Sequence, residues 1–232
     1  MSNKLWGGRF NGRMDAQFEV FSASFQWDVK LLPYDLKIDA AHVKALKKCG
    51  ALKGAEARRL LSAIAILEKK HRNGSLKLNP KSEDVHSAVQ AELGRLAGPL
   101  ADKLHTGRSR NDLVAQSSRL YCKEHSGRII AKIEKLQATL VRKAEENLGV
   151  YVPGMTHLQN AQIVSQAHIF LAYTEMLERA KMRFQMARSL ADICVLGSGA
   201  LAGTTFALDQ QAIARELNRP VDNLFGDDPE ET

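Results

Sequence analysis

The sequence predicts an all-α protein, a small helical N-terminal domain followed by part of a long central helical bundle. Three observations carry this. Helix-favouring Ala, Leu, Glu, Lys and Arg are plentiful, while the 232 residues hold only 6 Pro and 16 Gly. Apolar residues recur at intervals of three and four through long stretches, and no strand run of convincing length interrupts them. No proline stands between Pro99 and Pro153, which leaves room for a helix of unusual length.

The first forty residues carry Gly7, Gly8, Gly12, Pro33 and both tryptophans, Trp6 and Trp27, and read as an extended arm. A helix over 41–49 should end at Gly50, and another over 55–72 should run to Asn73-Gly74 with Leu60, Leu61, Ile64 and Leu67 as its apolar stripe. Ser82 is placed to cap a third helix, with Val85, Val89, Leu93 and Leu96 on one face, and Gly98-Pro99 stops it. A long helix over 112–148 would measure about 55 Å. Pro153-Gly154 breaks it, and a second long helix is expected over 161–193. A turn of small residues, Gly197-Ser198-Gly199-Ala200-Leu201-Ala202-Gly203, then precedes a short helix over 209–217. The domain boundaries that follow are 1–111 for the arm and small helical domain, 112–223 for the bundle segment, and 224–232 for a disordered tail. Two long helices joined by one tight turn cannot bury their apolar faces alone, so they are expected to pack on further helices, of this chain or of partner subunits, and a homo-oligomer is expected.

Composition narrows the function. Lys and Arg exceed Asp and Glu by 33 to 26, a net +7, and the isoelectric point is near 9.4. The basic residues are spread over amphipathic helices and aromatics are only 6%, so stacking platforms for nucleic acid are scarce and no nucleic-acid partner is expected. The charge suits a polyanionic small substrate. No apolar run is long enough to span a membrane, no signal layout opens the chain, and a cytoplasmic location is expected. Cys49, Cys122 and Cys194 lie far apart and read as thiols of a reducing compartment. The seven histidines lack paired ligand spacing, so no metal is expected.

Polar side chains suited to chemistry gather in four places. These are Ser22-Ala23-Ser24, Ser82-Glu83-Asp84-Val85-His86, His105-Thr106-Gly107-Arg108-Ser109-Arg110-Asn111-Asp112, and Gly154-Met155-Thr156-His157-Leu158-Gln159. The third packs Arg, Ser, Thr and Asn donors at a helix N-terminus, a cradle for carboxylates. The competing reading is a capping segment whose arginines pair with acids. The fourth offers His157 for proton transfer near neutral pH, with Thr156 and Gln159 beside it. His42, His71, His125 and His168 sit in helical patterns and read as ordinary helix residues.

In their order along the chain, Lys4-Leu5-Trp6-Gly7-Gly8-Arg9-Phe10, Glu83-Asp84-Val85-His86, the 105–112 segment, Pro153-Gly154-Met155-Thr156-His157-Leu158-Gln159 and the 196–204 segment resemble argininosuccinate lyases of the fumarase/aspartase superfamily, to which delta-crystallins also belong. The resemblance runs from residue 4 to about 223. It implies an all-helical homotetramer without cofactor, whose sites are assembled from several subunits. The reaction it implies is the reversible elimination of argininosuccinate to L-arginine and fumarate, a step of arginine biosynthesis. Matched residue by residue, His157 is the acid–base group, Ser24, Arg110, Asn111, Thr156 and Gln159 contact substrate, and Asp84, His86 and His105 belong to the site region. The family's second catalytic group, a serine in a Gly-Ser-Ser loop, falls past residue 232, so a truncated form is expected. The alternatives are a non-catalytic helical fragment that only assembles, and a sister lyase releasing fumarate from another substrate.

Overall fold

The computed structural model describes residues 15–217 and 219–221, which divide into two compact units. Residues up to Leu113 together with Leu196–Glu216 form the first, and Val114–Val195 with the residues from Leu217 form the second. The motif at residues 4–10 and the 224–232 tail lie outside the described residues.

In the first unit, α1 (Ala16–Ser22) and α2 (Phe25–Asp28) replace the expected extended arm. The Asp15 carboxylate caps α1 by accepting from the Gln17 and Phe18 N–H groups. A 3-10 turn leads into α3 (Leu32–Lys48), which begins nine residues earlier than the sequence suggested. Pro33, expected in the extended arm, occupies the first turn of this helix, where its missing N–H leaves no bond unmade. The helix ends as expected, with Gly50 at φ 82° just past it. Next come α4 (Gly54–Arg72) and α5 (Val85–Ala97). Asp84, not Ser82, caps α5: its carboxylate accepts from the Ser87 N–H at 2.6 Å. Gly98-Pro99 stops α5, but the chain continues as a 3-10 helix over Gly98–His105. Leu36, Ile38 and Leu46 of α3, Leu60, Ile64 and Leu67 of α4, and Val85, Val89 and Leu93 of α5 close the core.

The chain passes to the second unit within α6 (Arg110–Glu146), whose 37 residues give the expected length of about 55 Å. The break at Pro153-Gly154 is not a simple turn. It belongs to β1 (Tyr151–Thr156), which pairs antiparallel with β2 (Gln159–Ser165), so that Ile163, expected on a helix, lies in a strand. The helix α7 (Gln166–Ala191) therefore starts later than 161, with Ser165 as its cap. Gln137 reaches the Thr174 carbonyl and Glu178, while Arg119 reaches the Leu190 carbonyl, so α6 and α7 run antiparallel. After α7, β3 (Ile193–Cys194) pairs in parallel with β4 (Arg219–Val221).

Residues 196–216, expected in the bundle, pack with the first unit instead. The Asp112 carboxylate accepts from the Gly197 and Gly199 N–H groups at 3.1 and 3.0 Å. Lys44 and Lys48 of α3 pair with Glu216 and Asp209, at and just before the ends of α8 (Gln210–Leu217). The fold class stands as all-α with two small strand pairs.

Two glycines separate strain from crowding. Gly50 has positive φ with open space around it, whereas a Cβ at Gly199 (φ 64°) would lie 2.7 Å from the Gly203 carbonyl oxygen. Gly50→Ala should cost about 1 kcal/mol and Gly199→Ala about 3 kcal/mol or more in denaturant unfolding. Equal losses would contradict the geometry of the 197–203 turn.

Candidate active site

The site of the first unit grows from one face of α3. Leu32, Asp35, Asp39, His42 and Leu46 follow helical spacing and are all buried, the apolar residues closing the two ends of a polar middle. Each polar member holds a different segment. The His86 Nδ1–H donates to Asp35 Oδ2 at 2.6 Å. Arg108 Nη1 donates to Asp39 Oδ1 at 2.6 Å, with side-chain exposures of 1% and 5%. The His42 Nε2–H donates to the Thr106 carbonyl at 2.9 Å. Asp35 Oδ1, His42 Nδ1, His105 Nε2 and Arg108 Nε have no hydrogen-bond partner among the described residues, each a cost of about 1–3 kcal/mol.

Above this face, Asp84 and Arg110 meet. Arg110 Nη1 donates to both Asp84 oxygens at 2.7 and 2.8 Å, and Nη2 donates to Ser87 Oγ at 3.3 Å. Burial would raise Asp84, but the Ser87 N–H and the Arg110 charge outweigh it and hold the carboxyl below its usual range. Ser24 lies beside this pair. Its N–H donates to the Glu83 carbonyl at 2.8 Å, and its hydroxyl donates to Asp28 Oδ2 at 2.6 Å. The other Asp28 oxygen accepts from the Val85 N–H at 3.0 Å. Asn111 is exposed in the first turn of α6. The first unit thus brings Ser24, Asp84, His86, His105, Arg110 and Asn111 into linked segments. Both arginines of the expected cradle have acid partners, Asp39 for Arg108 and Asp84 for Arg110.

Thr156, His157 and Gln159 belong to the second unit, all exposed, at the tip of the β1–β2 hairpin. Thr156 and Gln159 form the last strand pair, and His157 and Leu158 alone make the turn, with φ of 50° and 62°. Two consecutive left-handed residues make this a primed turn, which usually takes Asn-Gly. The His-Leu pair costs strain, and in return the imidazole stands at the very end of the ribbon.

Sequence reasoning missed Asp35, Asp39 and the role of His42. The signal was present in their spacing, since two acids and a histidine share a face whose ends are leucines. Among the described residues no cluster of His, Cys, Asp or Glu could hold a metal ion, and no helix is long and apolar enough to cross a membrane.

The pattern of the family described as Lyase matches residues 8–225, a span that contains every residue nominated above. The chain belongs to this lyase family. It is 44% identical to argininosuccinate lyases of Listeria innocua and Bacillus subtilis over 92% of its length. Those alignments cover 47% and 46% of the relatives, so the chain spans about half the length of the curated relatives it matches. A solved EDDS lyase variant with bound fumarate is 29% identical, with a TM-score of 0.68 over 79% of this chain and 36% of that one.

The buried histidines make stability depend on pH. Burial first and Arg108 second hold His42 down to about 3 and His105 down to about 4. The unfolded chain takes protons on both near 6.5, so acidification through that value favours unfolding. Asp39 runs the other way, because burial pushes it up to about 6 against the pull of Arg108, and folded protein binds that proton first. Asp112, which burial also raises, acts with Asp39. The two histidines are displaced furthest within this window, and the melting temperature should fall between pH 6.5 and about 4. His42→Gln, which keeps a donor for the Thr106 carbonyl, should remove about half of that fall. An unchanged slope would show that His42 is not neutral in the fold.

Proposed function

We propose that the chain serves the elimination that converts argininosuccinate to L-arginine and fumarate. The observation that carries the reading is the 44% identity to argininosuccinate lyases across 92% of the chain. The fumarate bound by the EDDS lyase variant fits the expected product. In this reading His157, at the hairpin tip, makes one of the two proton transfers, from the carbon beside a succinyl carboxylate or to the departing guanidino nitrogen, and the other falls to a different group. Thr156 and Gln159 flank His157 as polar contacts. Ser24, Arg110 and Asn111 supply donors for the substrate carboxylates, whose charge rises as the carbanion-like state forms. Asp84 sets the direction of the Arg110 fork, His86 anchors the start of α5 to Asp35, and His105 begins the connection to α6.

The apolar face of the long helices supports assembly as a homo-oligomer, with the family's tetramer as the proposed form. Tyr173, Met176, Met182, Met186 and Leu190 of α7 are each more than half exposed. A second reading, assembly without catalysis, is favoured by the pairing of both cradle arginines with acids inside the first unit.

Where purified chain releases fumarate from argininosuccinate, His157→Asn should lower that release by about 10²-fold or more. Release untouched by the substitution would remove His157 from the reaction. No release from a chain that light scattering shows to be oligomeric would favour the second reading. A monomer would contradict the proposed assembly.

A further inference from the structure

We propose that Asp39 is a positioning residue of this site: by gripping Arg108 it fixes the 105–109 connection and thereby the placement of Arg110 and Asn111, without itself touching substrate. The inference deepens the proposed function and rests on it for what Arg110 and Asn111 bind.

The geometry is a clamp at both ends of a short segment. On one side, Asp39 holds the Arg108 guanidinium at 2.6 Å, and one turn along the same helix His42 holds the Thr106 carbonyl at 2.9 Å. On the other side, Asp112 is fixed by the Ser109, Gly197 and Gly199 N–H groups at 3.0–3.1 Å. Only Ser109, Arg110 and Asn111 lie between the Arg108 and Asp112 anchors. The same α3 face, through Asp35 and His86, also holds the first turn of α5, whose cap Asp84 receives Arg110. One helix face therefore sets both partners of the Asp84–Arg110 pair.

A purely stabilising role is a poor account of Asp39. Burial raises its carboxyl to about 6 even with Arg108 in contact, so desolvation outweighs the attraction of the pair. Buried ion pairs of this kind are often replaced by apolar residues at no loss of stability. What an apolar pair cannot reproduce is the directed hold on the guanidinium.

The test uses the full chain near pH 7.5, where Asp39 is ionised. Backbone hydrogen exchange is followed in residues 105–112 and, as a reference, at Leu60, Ile64 and Leu67 of α4. Asp39→Asn should speed exchange in 105–112 by about tenfold or more and leave α4 unchanged, and Asp39→Glu should restore part of the protection. Unchanged protection in 105–112, or an equal loss in α4, would overturn the proposal. If Asp39→Asn does not fold, Asp39→Leu combined with Arg108→Met removes both charges together. Wild-type protection of 105–112 in that variant overturns the proposal, and a loosened segment over an intact α4 supports it. Failure of both variants to fold makes the pair a folding requirement and also overturns it. Fumarate titration separates the two readings. Asp39→Asn should weaken fumarate binding about tenfold, whereas a wild-type chain that binds no fumarate overturns the proposed function while the exchange result still decides the role of Asp39.

Discussion

The buried contact between Arg108 and Asp39 is the constraint around which the first unit is arranged. A guanidinium and a carboxylate, both almost wholly removed from water, can coexist only in good geometry and with each other. That condition locks the 105–109 connection against α3. The connection then delivers Arg110 to Asp84, and Asp112 receives the Gly197 and Gly199 amides. The hydrophobic core of α3, α4 and α5 supplies the dry surroundings that make the contact directional. Burial of Asp39 and His42 acts against their charged forms, which makes the polar stripe costly as well as specific.

The second unit solves a different problem. The histidine proposed to move protons is exposed at the hairpin tip, and the hairpin puts it there with few residues. A two-residue turn leaves no slack in the backbone, and the pairing of Thr156 with Gln159 directly behind it fixes the exit of His157. Gly154 allows the ribbon to close, since a Cβ there would lie 2.9 Å from the Gln162 carbonyl oxygen. Behind the hairpin, α6 and α7 leave apolar side chains in water, a cost that is removed only when other helices cover them. This exposed face is the observation behind the proposed homo-oligomer.

Legibility in the sequence followed the range of the interaction involved. Leu60, Ile64 and Leu67 on α4, and the span of α6, were legible because helical period is a local property. So was the end of α3 at Gly50. The start of α3 was not, because Pro33 is equally at home in a loop and in a first helical turn. The cap of α5 is Asp84 rather than Ser82 because the helix begins at Val85, and the same carboxylate also accepts from Arg110, 26 residues away. The β1–β2 hairpin was hidden by Pro153-Gly154, which marks a break in either structure. Its strands are mostly exposed and show no apolar alternation to read.

By itself the sequence determined the all-helical class, the long α6, and the four segments in which candidate functional side chains gather. These depend on composition, period and local capping, all carried by neighbouring residues. Only the tertiary structure decided which acids the arginines meet and which unit the 197–203 turn joins. It also decided that Asp35, Asp39 and His42 form an interior polar face rather than a solvated one. A helix records the spacing of its residues but not what packs on each side. Whether a carboxylate on that helix faces water or a buried guanidinium is settled by segments more than forty residues away, through the desolvation that their packing imposes.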